Sequence, residues 1–386
     1  MSASESCLNA RASFETIRTL KRNFDLAFDQ AVSSGKAEDV DRAKSLKQQL
    51  ETEMKALQEK LAIVEVERLF DLKKQYEGQL DLLKSSGMVE TRKETDPPGV
   101  ERETFFITGI DEKEYPIPPY LTILERFAEK KQLLEIKEDQ GFKKLVLVPF
   151  GMSLAAMSIR FEQFLSEYLK IRPEFASIHP DQSLLDDWER LYKTRHKDVA
   201  ADKVGTLKYD PVRLVVNNKN PWELAWKTKQ EILDQAKQNQ DTAPGWSILL
   251  LQAGLDEKGF RSIPRAGSGI VDGTKMPRAE IEVGRSTEDY LISQMENSND
   301  SPYAGEYGLT PEAWLVIFME HLKETDRPLD SYNGFDKGTV DFLIGSLLDG
   351  FYVTAVGWTD RHSIFASTFG LANFNSCCGI RTAVRV

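Results

Sequence analysis

The C-terminal segment of this chain lacks four common residue types, and this gap constrains the sequence more than any other feature. From Gly338 to Val386 there is no Lys, Glu, Gln or Met. A small buried β-subdomain would explain a shortage of long charged side chains. A restricted codon set would also explain it, because codons ending in a pyrimidine exclude these four types and Trp. Only Trp358 departs from that set. The polar and aromatic mixture between Phe351 and Cys378 favours the second interpretation, since it is typical of adaptable binding surfaces.

Charge and length exclude several classes of function. The net charge of -11 and the isoelectric point near 5.2 argue against a nucleic-acid partner and against general attraction to anionic membranes. The longest apolar stretch, residues 145–159, is too short to span a bilayer, and Pro149 and Gly151 interrupt it. The N-terminus has no basic segment followed by an apolar run, so no secretory signal is predicted. We expect a soluble, cytoplasmic protein without membrane insertion, although export by another route stays open.

Cysteine usage predicts a protein without a metal or other cofactor. The chain has 3 cysteines, two of which are adjacent, so they do not form a disulfide framework. No His or Cys cluster has the spacing of zinc ligands. We therefore expect no cofactor and a reducing compartment.

Residues 1–88 are predicted to form a helical hairpin or coiled coil. An early helix covers Phe14 to Val32 and stops at the Ser-Ser-Gly of residues 33–35. A second helix carries apolar residues at steps of three and four, with Lys, Glu and Gln between them. Its stripe consists of Leu46, Leu50, Met54, Leu57, Leu61 and Val64, and continues after a change of phase from Leu69 to Leu83. An intramolecular hairpin and a stalk for a homo-oligomer both remain open.

The middle of the chain is predicted to be a linker followed by an α+β domain of unknown role. The linker covers residues 89–103, because this polar stretch contains Pro97-Pro98-Gly99. The α+β domain covers residues 104–243. Its predicted strands are residues 105–107 and 145–148, and its predicted helices are residues 121–134, 152–169 and 221–237.

The last predicted domain covers residues 244–386. It opens with an apolar strand at residues 246–251 and a glycine-rich turn at residues 267–273. Thr310 and Pro311 mark a helix start, as N-cap and first helical residue. We expect this helix to bury Trp314, Leu315, Phe318 and Leu322 and to end before Pro328. A second, shorter helix is predicted from Val340 to Leu348, followed by three short strands.

Three segments of this last domain resemble a known family. Residues 305–315, 350–358 and 379–386 resemble the C-terminal domain of target proteins of bacterial diversity-generating retroelements. The resemblance implies a C-type lectin fold of the formylglycine-generating-enzyme type. In that family, reverse-transcription errors at template adenines diversify chosen codons near the end of the gene. The expected fold class is therefore α+β, with an N-terminal helical hairpin, a central α+β region and a C-terminal C-type-lectin-like domain.

The resemblance also implies which residues bind and which support. Trp358 and the final strand from Gly379 would be scaffold, and a hypervariable surface would lie between Phe351 and Cys378. Aromatic side chains there offer a large contact area at little rotamer cost, and short polar ones offer adaptable hydrogen bonds. The predicted ligand-binding residues are Phe351, Tyr352, Thr354, Thr359, Asp360, Arg361, His362, Phe365, Asn373, Phe374, Asn375, Ser376 and Cys377. The expected function is non-enzymatic binding of a variable protein or other macromolecular ligand.

Two alternatives belong to other classes of protein. The chain would be an interaction scaffold if its coiled coil were the main element and its tail a docking module. It would be an oxidase of the formylglycine-generating type if Cys377 and Cys378 were redox or copper-binding residues. The active cysteines of that family are several residues apart, whereas these two are adjacent, where a disulfide is strained.

Overall fold

The computed structural model of the chain describes residues 3–96, 100–175, 185–193, 206–213, 224–295, 300–332, 338–359 and 363–386. Helices and sheets are both present, so the predicted α+β class is confirmed. The chain divides into two compact units, one of Met1–Lys73 with Ile123–Leu134 and one of Lys74–Thr122 with Glu135–Val386.

The helices and strands follow in this order along the chain. The helices are α1 (Ala3–Ser34), α2 (Ala37–Phe70), α3 (Leu72–Ser85), α4 (Tyr120–Glu129), α5 (Lys131–Asp139), α6 (Leu154–Ile171), α7 (Asp186–Lys193), α8 (Lys229–Gln238), α9 (Thr287–Met295) and α10 (Pro311–Thr325). The strands are β1 (Glu90–Asp96), β2 (Val100–Thr108), β3 (Glu114–Pro116), β4 (Phe142–Val148), β5 (Leu207–Arg213), β6 (Leu224–Lys227), β7 (Ser247–Gln252), β8 (Val271–Asp272), β9 (Arg278–Ala279), β10 (Glu306–Gly308), β11 (Ser331–Tyr332), β12 (Val340–Phe342), β13 (Ser346–Leu348), β14 (Tyr352–Thr359), β15 (Ile364–Gly370), β16 (Cys378–Gly379) and β17 (Thr382–Arg385).

In the first unit, α1 and α2 pack side by side as a helical hairpin. The helix predicted to stop at Ser33-Ser34-Gly35 does end there, and Gly35 makes the turn with a positive φ of 62°. α2 ends at Phe70, the backbone of its C-cap Asp71 is left-handed, and α3 starts at Leu72. The break between the two helices at Asp71 accounts for the change of phase in the apolar stripe.

The stretch predicted to be a linker, residues 89–103, is largely β-structure. β1 and β2 form an antiparallel pair, in which Thr91 is opposite Phe105 and Lys93 is opposite Glu103. β3 joins the other side of β2. Polar strands are stable when opposite charges and β-branched residues face one another across the pair. The polar composition on which the linker prediction rested does not reveal this pairing. Pro97-Pro98-Gly99 lies outside the described residues.

A second sheet joins strands that the sequence assigned to two domains. Its order is β10-β17-β7-β4. The predicted strands at residues 145–148 and 246–251 are neighbours in β4 and β7, and the final strand β17 pairs with β7 on its other side. The predicted boundary between residues 243 and 244 therefore runs through a continuous sheet.

The outer edge of β4 is covered by two glutamine side chains of α3. Gln75 lies one turn before Gln79. Oε1 of Gln75 accepts from the Leu145 backbone N–H at 2.7 Å, and its Nε2 donates to the Lys143 carbonyl at 2.9 Å. Oε1 of Gln79 accepts from the Leu147 N–H at 3.0 Å. These amides occupy backbone groups that an open edge strand would offer to another chain.

We expect Gln79→Ala to lower the free energy of unfolding by about 1 to 3 kcal/mol, because the Leu147 N–H would then be buried without a partner. Nε2 of Gln79 also donates to Glu320 at 2.7 Å, and this hydrogen bond would be lost as well. Urea unfolding would measure the loss as a lower midpoint, with an unchanged slope of the free energy of unfolding against urea concentration. Glu77→Ala, at an exposed position of the same helix, should change stability by less than about 0.5 kcal/mol. Equal effects of both substitutions would contradict the role of Gln79.

The third sheet has the order β16-β12-β14-β13-β5-β6, and β11 and β15 also pair with β14. The helix predicted from Val340 to Leu348 is wrong, because this segment forms β12, a turn and β13. Apolar runs do not distinguish a buried strand from a buried helix. The turn requires a glycine, since a Cβ on Gly345 would lie 2.2 Å from the Gly308 carbonyl oxygen.

Two of the helices predicted in the second unit differ in how well their predicted starts agree with the structure. The helix after Thr310 is confirmed: Thr310 Oγ1 accepts from the Ala313 N–H at 3.3 Å, and α10 is buried along most of its length. The helix predicted over residues 221–237 starts later, because residues 224–227 are strand β6 and Thr228 caps α8. No helix of the described ranges combines the length and the apolar character needed to cross a membrane.

Candidate functional site

The predicted site lies on the β14–β15 hairpin and the turn that follows it. Tyr352 is opposite Gly370 at one end of the ladder, and Trp358 is opposite Ile364 at the other. Phe351 precedes the ladder, and residues 371–376 continue beyond it. The Tyr352 end therefore brings the residues before β14 close to the turn after β15.

Exposed aromatic side chains mark this end of the hairpin. The exposed fraction is 68% for Phe351, 39% for Tyr352 and 64% for Phe374. Asn373 and Ser376 are exposed in the same turn. We call these five residues the aromatic rim. Large apolar groups left in solvent beside short polar ones are typical of surfaces that bind other macromolecules.

A tight turn holds Phe351 in place. Asp349 and Gly350 both have positive φ, at 52° and 76°, and with Phe351 they form the loop between Leu348 of β13 and Tyr352 of β14, which are paired. The Phe351 N–H donates to the Leu348 carbonyl at 3.2 Å. Asp-Gly is a preferred sequence for turns whose two central residues both have positive φ. The backbone under Phe351 is thus fixed by its neighbours and not by its own side chain.

Residues outside the C-terminal segment hold the turn after β15. The Leu371 carbonyl accepts from the Glu288 N–H at 2.9 Å and from Thr287 Oγ1 at 2.7 Å. Thr287 is fully buried at the start of α9. Ser286 forms an isolated bridge with Phe374. The rim backbone is anchored by α9, so its side chains can differ without loss of these contacts.

A buried cluster lies beneath the hairpin. It includes Tyr290, Leu291, Val340, Phe342, Ile344, Leu347, Val353, Ala355, Cys377, Cys378 and Ile380. Phe365, Phe369 and Leu371 are partly buried against it. Phe365, one of the predicted binding residues, therefore offers only part of its ring to solvent.

Two predicted binding residues are inside the protein. Thr354 is 1% exposed, and its Oγ1 accepts from the Tyr192 hydroxyl of α7 at 2.9 Å. Cys377 is 4% exposed, and its N–H donates to Asn375 Oδ1 at 3.1 Å. The expectation of surface positions fails for Thr354 because β14 is buried on both faces over most of its length, and for Cys377 because it belongs to the buried cluster. Neither side chain can contact a ligand without rearrangement.

The other predicted residues occupy intermediate positions or lie outside the described residues. Thr359 is partly buried, and its Oγ1 lies 3.1 Å from Ser363 Oγ. Asn375 is partly buried and caps the turn before Cys377. Asp360, Arg361 and His362 lie outside the described residues. The structure thus brings together Phe351, Tyr352, Asn373, Phe374 and Ser376.

Trp226 is a residue of this region that the sequence did not single out. A Cβ on Gly350 would lie 3.1 Å from the Trp226 ring, so the indole packs against the loop that carries Phe351. Trp226 is partly buried against the cluster beneath the hairpin. It arrives on β6, which joins the sheet through β5 and β13. Because this pairing is distant in sequence, no local signal could reveal it.

The adjacent cysteines are reduced and buried. Their sulfur atoms are 3.9 Å apart, so no disulfide joins them. Burial, followed by the neighbouring Cys377, raises the pKa of the Cys378 thiol far above its ordinary value. The thiolate is the form that attacks or binds metal, so this environment opposes such chemistry. Among the described side chains, no group of three or more His, Cys, Asp or Glu residues converges as metal ligands would.

Comparison with known proteins gives no relative for this chain: no family model, no curated protein and no solved structure matches it.

Proposed function

We propose that this chain is a non-enzymatic binding protein whose C-terminal C-type-lectin-like domain displays a surface diversified by a retroelement. The aromatic rim is the accessible part of that surface. One observation carries the proposal: the exposed rim side chains belong to the segment with restricted composition, whereas Thr287, Glu288 and Trp226, which support the rim, lie outside it.

The chemistry of the rim suits interchangeable contacts. Phe351, Tyr352 and Phe374 each have two side-chain torsions, so binding them costs little conformational entropy. Asn373 and Ser376 donate and accept hydrogen bonds. The missing Lys, Glu, Gln and Met are residues whose long side chains lose much entropy when they are immobilised.

The openness of the rim favours a macromolecular ligand. Phe351 and Phe374 are each about two-thirds exposed, at 68% and 64%. Small-molecule sites enclose most of their ligand in a concave pocket, whereas protein interfaces use clustered aromatic residues on open surfaces. We therefore propose a protein partner, with contacts centred on the two phenylalanines.

Genomic DNA tests the diversification. We expect a reverse-transcriptase gene nearby and a near-identical repeat of the 3′ end of this gene. The differences between gene and repeat should fall at template adenines, within codons of rim residues and not in the codon of Trp358. Identical rim codons among many independent isolates, without a repeat, would contradict the proposal.

The rim should tolerate substitution without loss of stability. We expect Phe351→Ser and Phe374→Asn each to change the free energy of unfolding by less than about 0.5 kcal/mol, since both side chains are largely exposed. Val353→Ser, two positions from Phe351, should cost about 2 kcal/mol or more, because it adds a hydroxyl and removes methyl groups in a fully buried place. Urea unfolding compares the three variants. A large loss for both rim variants would show that these aromatic residues are structural.

A further inference from the structure

The α1–α2 hairpin buries its small apolar residues and exposes its large ones. Near the turn, the contact between the helices buries Ala27, Ala31 and Ala43, with Val40 and Leu46 packed against them. Meanwhile Phe28 is 52% exposed and Val32 is 71% exposed. An amphipathic helix normally turns its large apolar residues toward its packing partner. This part of the hairpin therefore has a second apolar face that its own two helices do not cover.

Near the turn, three alanines with Val40 and Leu46 give the two helices only a narrow apolar contact. Methyl groups bury little apolar surface, and helices in water depend on tertiary packing for most of their stability. α1 and α2 have 32 and 34 residues, so many backbone torsions must be held in place. A further partner along the exposed face would supply the missing apolar contact.

The exposed face is a continuous stripe on α1. Phe24, Phe28 and Val32 are spaced four residues apart and so follow one side of the helix. The rings of Phe24 and Phe28 are in contact, with centroids 5.9 Å apart. Leu26 is 62% exposed but lies about 200° around the helix from Phe28, on a different side.

Charges along the two helices follow complementary orders. On α1 the charged residues from 21 to 29 are, in order, Lys21, Arg22, Asp25 and Asp29. On α2, from residue 51 back to residue 44 and so toward the turn, they are Glu51, Lys47 and Lys44. Because the helices are antiparallel and joined at residues 35 and 36, Lys21 is level with Glu51. Asp25 and Asp29 are level with the two lysines. The pairs Lys21–Asp25 and Lys47–Glu51 have side chains more than half exposed, which leaves them accessible to another chain.

We propose that a second copy of this chain covers the stripe, with α1 of each hairpin packed against α2 of the other in a four-helix bundle. This two-fold arrangement buries Phe24, Phe28 and Val32 at the interface between copies. It also places Asp25 and Asp29 beside the partner's Lys44 and Lys47. Pairing α1 with α1 in parallel would instead bring like charges together, which disfavours that alternative.

The proposed dimer does not depend on the proposed function of the rim. It would nevertheless affect binding, because two linked sites on one ligand or surface act with a high effective concentration. A diversified site of modest affinity would then bind strongly when two copies engage together.

Sedimentation equilibrium of the full chain tests the interface. We expect the wild-type chain to be a dimer in the micromolar range. Phe28→Glu combined with Val32→Glu should raise the dissociation constant at least about 100-fold, because the charges would be buried in the interface. Leu26→Glu, on the other side of the same helix, is the matched control and should leave association unchanged. A monomeric wild type would overturn the proposal, as would equal effects of the control and the double variant.

A charge exchange tests the identity and orientation of the partner. Asp25→Lys with Asp29→Lys, and separately Lys44→Glu with Lys47→Glu, should each weaken self-association. An equimolar mixture of the two variants should regain dimers that contain one chain of each kind, because only contacts between chains can restore the opposite charges. A mixture that associates no better than its components would exclude the proposed pairing of α1 with α2.

Discussion

Replacing Arg381 with Met is expected to destabilise the second unit by about 3 to 5 kcal/mol, because two buried carboxylates would lose their shared cation. Nη1 of Arg381 donates to Asp330 Oδ2 and to Asp341 Oδ2, each at 2.9 Å. Its Nη2 donates to Asp330 Oδ1 at 2.7 Å. All three side chains are almost completely buried. Thermal or urea unfolding of the variant measures the loss.

The loss should depend on pH in a defined direction. Burial already raises the pKa of Asp341 well above its ordinary value, although Arg381 acts to lower it. Without Arg381, the pKa of this carboxyl rises further. A carboxyl with a raised folded-state pKa stabilises the fold at low pH and loses that contribution as pH rises through the folded value. The difference between variant and wild type should therefore be larger near neutral pH and shrink on acidification. A difference that grows on acidification would contradict this account.

Arg385, at the end of the strand β17 that follows Arg381, provides the matched control. Its Nη2 is 2.6 Å from Asp210 Oδ1, but its side chain is 38% exposed. Ion pairs that water can reach contribute about 0 to 1 kcal/mol. Arg385→Met should therefore cost much less than Arg381→Met. Similar losses from both substitutions would mean that burial of Arg381 with Asp330 and Asp341 does not strengthen their contribution to stability.

Local signals in the sequence were sufficient where capping chemistry fixes an element. Thr310 and Pro311 placed the start of α10 correctly, because the hydroxyl must satisfy a free N–H and proline lacks one. The start of α8 was misplaced although a signal was present. Thr228 and Glu231 form a capping box, which marks Lys229 as the first helical residue.

Distant contacts explain the elements that the sequence did not predict. The run from Val340 to Leu348 has helical apolar spacing, yet pairing with β14 and β5 makes its ends strands. Gly345 was a local clue to an interruption in this run. The reason for a glycine there, the close contact with Gly308, depends on a residue far along the chain.

The candidate site shows the same division between local and distant causes. Exposure of Phe351 follows from the Asp-Gly turn that precedes it, which is visible in the sequence. Burial of Thr354 follows from Tyr192 on α7, which no local pattern connects to β14. A strand covered on both faces loses the simple alternation by which exposed positions are predicted.

The second large effect is expected at Trp358, the one residue of the segment that departs from the restricted codon set. Trp358→Ala should lower the free energy of unfolding by about 3 to 5 kcal/mol, because it removes a large buried side chain and leaves a cavity. Trp358 is 5% exposed and packs against Phe318 of α10, with ring centroids 5.8 Å apart. Its backbone N–H donates to the carbonyl of Asp330 at 2.8 Å, so β14 is held beside the residue whose side chain binds Arg381.

Phe374→Ala is the matched control for Trp358→Ala, because it removes an aromatic ring of the same segment that is 64% exposed. We expect its free energy of unfolding to stay within about 0.5 kcal/mol of the wild type, as at other exposed positions. Urea unfolding midpoints of both variants decide the comparison. Trp358→Ala keeps the backbone N–H that donates to Asp330, so the expected loss comes from the ring alone. An unchanged midpoint for Trp358→Ala would mean that β14 does not depend on this ring, and the division between fixed scaffold and variable rim would then have no energetic basis.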